Sequence, residues 1–174
     1  EPAARSPLQS AKNSAFIRGN LTHKLLQFLP ALPPENREGA GKTYLTRYGA
    51  MFESPIQTAI LAQVMAILTH PDFAPLFGPH SLAEAPISGF TPDGRLISGQ
   101  IDRLLIGEHD ILIADYKTGR NPPGNAADIP PAYRAQMQAY ADLIRALYPG
   151  RAVKCALIWT EGAVLMPLSL DGTA

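Results

Sequence analysis

The chain has 174 residues, 18.7 kDa, and 46% hydrophobic residues, enough apolar material for one domain with a real core. Fifteen Lys and Arg balance fifteen Asp and Glu, so the bulk charge of zero announces neither nucleic acid nor a membrane surface, and any such partner must be met by a local patch. A single cysteine, Cys155, excludes an internal disulfide framework, a cysteine zinc site and a four-cysteine iron–sulfur cluster held within the chain. No apolar run reaches the roughly 20 residues of a membrane-spanning helix, and the start lacks the order of a signal peptide. The expectation is a cytoplasmic protein with no membrane partner. The first residue is Glu1 rather than Met, which reads as a piece of a longer chain.

Residues 1–13 lack apolar periodicity and read as a linker entering a single domain over 14–174. From Ser14 to Leu29 the residues Ile17, Leu21, Leu25, Phe28 and Leu29 predict one helical stripe, stopped by Pro30, Pro33 and Pro34. Helices are expected over about Thr43–Tyr48 and Pro55–Leu68, the second burying Ile56, Ile60, Val64 and Ile67. Beyond a turn over Pro71–Pro79 the period falls from about 3.6 to 2. Strands are predicted near Leu82–Gly89, Leu96–Ile106 and Asp110–Tyr116, then a helix over about Ala132–Leu147 and strands near Ala152–Trp159 and Val164–Leu168. This order gives an α/β fold with a mixed sheet of about five strands.

The chemistry concentrates in Gly99-Gln100-Ile101-Asp102-Arg103 and Ile113-Ala114-Asp115-Tyr116-Lys117-Thr118. Strand alternation puts Asp115 and Lys117 on one face. A hairpin turning symmetrically about Glu108 and His109 sets Asp102 directly across from Asp115, with Cβ atoms roughly 4.5–5.5 Å apart. Two carboxylates that close repel, and a hard divalent cation such as Mg²⁺ removes the cost. Lys117 beside them is suited to stabilising charge on a phosphate. A lone Asp-x-Lys is more often a salt-bridged strand end; the opposing aspartate and the apolar run Ile111–Ala114 favour a site.

These segments, with Gln136-Met137-Gln138-Ala139-Tyr140 and Arg18-Gly19-Asn20-Leu21-Thr22-His23, resemble the motifs of the PD-(D/E)XK nuclease superfamily, in its RecB-like branch. The likeness runs from about residue 18 to 168. It implies a three-layer restriction-endonuclease-like core and a Mg²⁺-dependent DNase, with Mn²⁺ as an alternative ion. Asp102, Asp115 and Lys117 would be catalytic, and His23, Asp102, Asp115 and the Tyr116 carbonyl would be metal ligands. Gln136 and Tyr140 would contact DNA or steady the catalytic strand. It further implies single-stranded DNA ends as substrate, a helicase motor in the same parent chain, a second subunit of helicase–nuclease type, and work on the bacterial nucleoid in double-strand-break repair and recombination. The competing reading is a silent module of the same fold that guides DNA. A second competitor, the cysteine-cluster nucleases of the branch, is disfavoured by the single cysteine.

Taken alone, His23 lies off the apolar stripe and reads as a surface histidine; only the resemblance makes it a ligand. Tyr140 also continues the core stripe of Tyr133, Met137 and Ile144. Arg103, Arg120 and Arg134 adjoin the proposed site and are candidates for phosphate contacts, or solvated charges. Glu84 reads as a strand-edge glutamate more readily than as an outer ligand. His70, His80 and His109 lie in turns, and Cys155 reads as a core thiol. Gly39-Ala40-Gly41-Lys42-Thr43 lacks the leading glycine and buried strand of a phosphate-binding loop, so no nucleotide site is assigned.

Overall fold

The computed structural model describes residues 7–119 and 121–170. They divide into two compact units after Leu68. The first holds three helices, α1 (Pro7–Phe28), α2 (Pro34–Tyr48) and α3 (Ser54–Thr69), the last of which ends just past the division. Helix α1 begins at Pro7, well before the expected Ser14. Residues 11–13 are exposed, so this opening carries no apolar stripe to read, while Leu21, Leu25 and Leu26 further on are buried. Helix α2 begins at Pro34 rather than Thr43. Proline stops the preceding helix but fits the first turn of the next.

The two glycines of Gly39-Ala40-Gly41 are inside α2, which removes any loop able to cradle phosphate. Gly41 serves packing instead. A Cβ there would lie 2.5 Å from Leu61 Cδ1 of α3, so the bare backbone is what lets the two helices approach. The α3 face is buried as expected at Ile60, Val64 and Ile67, but Ile56 remains 38% exposed.

The second unit carries five strands and one long helix: β1 (Ser81–Phe90), β2 (Leu96–Ile106), β3 (Asp110–Lys117), α4 (Pro131–Leu147), β4 (Ala152–Trp159) and β5 (Val164–Leu168). They form one mixed sheet in the order β1-β2-β3-β4-β5. Only β3 and β4 run parallel, because α4 supplies the crossover that parallel neighbours require. Between two partners, β3 is apolar along Ile111–Ala114, all but Leu112 fully buried. Met137, Tyr140, Ala141 and Ile144 of α4 share one core with Ile111, Ile113, Val153, Cys155 and Leu157. Burial pushes the Cys155 thiol up to about 12, so it stays protonated and inert as expected of a core cysteine. Among the described residues no single helix is long and apolar enough to cross a membrane.

Candidate active site

The β2–β3 hairpin turns where expected: the Gly107 amide donates to the Asp110 carbonyl at 2.8 Å, and Ile106 pairs with Ile111. The register then runs through Leu104 opposite Ile113 to Arg103 opposite Ala114, where the ladder stops. The next pair outward in that register is Asp102 opposite Asp115. Instead of the backbone, the Asp102 carboxylate continues the bonding: its Oδ2 accepts the Tyr116 amide at 2.7 Å. An anionic acceptor on a buried N–H makes a strong bond, so Asp102, 8% exposed, is fixed in place by the strand that carries Asp115.

The β1–β2 ladder breaks at the same level. Ala83 pairs with Arg103 and Ala85 with Ile101, while the position between, Glu84 opposite Asp102, is skipped. Glu84 has φ of 51°, a left-handed conformation that costs a non-glycine residue about 1–2 kcal/mol. It brings a Glu84 carboxylate oxygen within 4.8 Å of one on Asp102. Three adjacent strands therefore place Glu84, Asp102 and Asp115 on one row across the sheet, and the β1–β2 and β2–β3 ladders both lack a pair at that row, while Asp115 remains paired with Leu157 of β4. Like charges so arranged cost stability unless a cation joins them. Carboxylate oxygens so arranged fit a hard divalent cation.

Lys117 occupies the same face of β3 as Asp115. Its Nζ lies 2.6 Å from Asp115 Oδ2, with both side chains nearly enclosed at 12% and 9% exposure. Helix α4 supplies two further contacts: Nζ donates to Gln136 Oε1 at 3.5 Å and sits 3.9 Å from the centre of the Tyr133 ring. Gln136 in turn donates from Nε2 to the Tyr140 hydroxyl at 3.4 Å. Tyr140 is only 7% exposed and belongs to the core, packed where Gly99 leaves room for its hydroxyl. The i, i+4 pair of Gln136 and Tyr140 thus props the lysine.

The other face of β3 takes Tyr116, whose hydroxyl accepts from Arg103 Nε at 3.3 Å. Arg103 is 4% exposed and its guanidinium lies 4.9 Å from the Phe77 ring centre. It is an internal prop and not a surface cation, because alternation along β2 sends it away from the face next to Asp102. Burial raises the Tyr116 phenol, which stays protonated. Arg134 is half-buried and donates to the Ala126 carbonyl. Arg120 lies outside the described residues. His23 is half-buried on α1 of the first unit. His80 and His109 are exposed, and the His70 ring accepts the Asp72 amide at 3.2 Å, capping a short helix.

Sequence reasoning underrated Glu84 and missed Tyr133 as a site residue. For Glu84 the signal was present: extending the register from the Thr91–Gly94 turn reaches Asp102. Tyr133 stands one helical turn before Gln136, the spacing of side chains that share a face.

The chain matches the model of the PD-(D/E)XK nuclease superfamily over residues 3–165. It is 27% identical over 128 residues to the A subunit of the ATP-dependent helicase/nuclease of Lacticaseibacillus casei, and equally to that of Lacticaseibacillus paracasei, covering 74% of this chain and 10% of each relative. Over 75 residues it is 32% identical to a CRISPR-associated exonuclease Cas4/endonuclease Cas1 fusion of Myxococcus xanthus, covering 41% of this chain and 13% of that one. The chain therefore spans about a tenth of the length of these relatives. With the match running over nearly all of its length, the chain belongs to the PD-(D/E)XK nuclease superfamily.

Proposed function

We propose that the protein is a divalent-metal-dependent DNase that hydrolyses phosphodiester bonds. The observation that carries this reading is the row of Glu84, Asp102 and Asp115 across three strands, with Lys117 held beside it. Asp102, Glu84 and Asp115 would hold the ion, joined by the Tyr116 carbonyl, and the family resemblance assigns His23 as a further ligand. A bound Mg²⁺ or Mn²⁺ supplies Lewis-acid polarisation and neutralises charge on the phosphate.

The remaining work falls to this chain's own side chains. Asp102, tied to the Tyr116 amide, keeps one carboxylate oxygen oriented and its own strand docked on β3. Asp115, Gln136 and the Tyr133 ring hold the Lys117 ammonium against one side of the site. There it stabilises the negative charge that grows on the phosphate oxygens as a water oxygen bonds to phosphorus and a P–O bond breaks. The products are a phosphomonoester and a free hydroxyl, one proton of the water passing to the leaving oxygen.

The two lactobacillar relatives are named as helicase/nuclease subunits, which supports a nuclease that works attached to a helicase. Action on strand ends released by that motor during double-strand-break repair is what the family resemblance adds to the proposal. A location on the bacterial nucleoid and a second helicase–nuclease subunit complete this proposal. The test is cleavage of an end-labelled oligonucleotide by the purified protein. Cleavage is expected with Mg²⁺, none in EDTA, and a loss of at least about 100-fold in Asp115→Asn. Binding of the oligonucleotide with no cleavage under any divalent ion would overturn the hydrolytic reading and leave a DNA-guiding module.

A further inference from the structure

A groove of about 300 Å³ runs between the start of β2 and the first half of α4, lined by Arg95, Ile97 and Ser98 on one side and Ala135, Gln136 and Tyr140 on the other. It is continuous with the site, because Gln136 belongs to both: it lines the groove and accepts from Lys117. Arg95 is the one charged residue in this lining. Its Nε is engaged by Asp93 Oδ2 at 2.7 Å, and Asp93 is itself tied to the Thr91 hydroxyl. Among the described residues its terminal nitrogens make no hydrogen bond, and the side chain is 67% exposed. The exposed pair with Asp93 is weak and yields readily to a better anion.

The groove thus offers a guanidinium at the edge, apolar surface from Ile97 and Ala135, and amide and hydroxyl groups at the end nearest Lys117. That chemistry matches a nucleotide, with its phosphate on Arg95 and its sugar and base along the apolar wall. We propose that this groove is the subsite for the nucleotide flanking the scissile phosphate in a single strand, with Arg95 as its phosphate-binding residue. The inference rests on the DNase reading and on the single-stranded substrate that the family resemblance implies, and adds the residues that hold the flanking nucleotide. A single strand is favoured because a base must be free of its pairing partner to lie against Ile97.

The test is anisotropy of a labelled 12-nucleotide single strand and of the corresponding duplex, in EDTA so that no cleavage intervenes, over a series of salt concentrations. Arg95→Ala is expected to weaken single-strand binding by about 10-fold and to reduce the salt slope by about 1, with Arg95→Lys between it and the parent. Ala135→Phe, at an exposed helix position, fills the groove and weakens binding without loss of thermal stability. Single-strand affinity and salt slope unchanged in both Arg95→Ala and Ala135→Phe would overturn the subsite, and equal affinity for duplex would overturn its single-strand form. A protein that cleaves with Mg²⁺ but ignores both substitutions refutes the groove alone. One that binds through Arg95 yet never cleaves refutes the hydrolytic reading alone.

Discussion

Replacing Lys117 by Met is expected to lower Mg²⁺-dependent cleavage by about 10²- to 10³-fold, most of it in kcat. Methionine keeps the apolar stem beside Tyr133 and deletes only the charged head. The head is what matters, because the acids in the row contribute negative charge and Lys117 sets a cation against one of them, Asp115. Deleting it also leaves Asp115 without its 2.6 Å partner at a side-chain exposure of 9%, so the variant unfolds earlier than the parent in EDTA. Tyr133 gives the graded form of the same argument. Tyr133→Phe retains the ring face 3.9 Å from Nζ and is expected to keep nearly full kcat, whereas Tyr133→Leu removes the cation–π contact and loses about 5- to 10-fold. Equal rates in Lys117→Met and the parent would show that the ammonium takes no part.

Gly99→Val is expected to cost about 1–3 kcal/mol of stability and to reduce cleavage as well. A Cβ at Gly99 would stand 2.4 Å from the Tyr140 hydroxyl and 3.1 Å from Cζ. The ring cannot step aside cheaply, since Tyr140 is 7% exposed and packed in the core with Met137, Ala141 and Ile144. Any shift of the hydroxyl withdraws it from Gln136, which loosens the amide that reaches Lys117. Gly39→Ala is the contrasting substitution: nothing lies within 4 Å of its Cβ and it is inside α2, so thermal stability should rise by about 0.5–1 kcal/mol. Thermal unfolding of the two variants, with cleavage rates for Gly99→Val, checks both signs.

Where a physical period was present, the sequence was informative. Strand β2 lies over Leu96–Ile106 as read from alternation, and the short turn at Glu108-His109 fixed the register that carries Arg103 opposite Ala114. The first residues of α1 and α2 were illegible for the opposite reason. Residues 11–13 of α1 are exposed, residues 34–40 of α2 are exposed or half-buried, and the two glycines of α2 look like a loop until Leu61 is seen against Gly41. Arg103 was misjudged by its neighbour in sequence: being next to Asp102 places it on the other face of a strand, against Phe77. For Glu84 the turn register reaches Asp102, but the left-handed backbone it adopts there is announced by no side-chain pattern. The roles of Gln136 and Tyr140 needed distances, since their spacing is equally that of core support and of substrate contact.

The most direct test is the binding of Mn²⁺ to the purified protein, followed by calorimetry, in the parent and in Asp102→Asn. Glu84 and Asp102 oxygens within 4.8 Å of each other, in a row completed by Asp115, predict saturable binding in the parent, weakened at least about 10-fold by the substitution. Mn²⁺ binding of equal strength in parent and variant, or none in the parent at millimolar ion, would contradict the assignment of this carboxylate row as the metal centre.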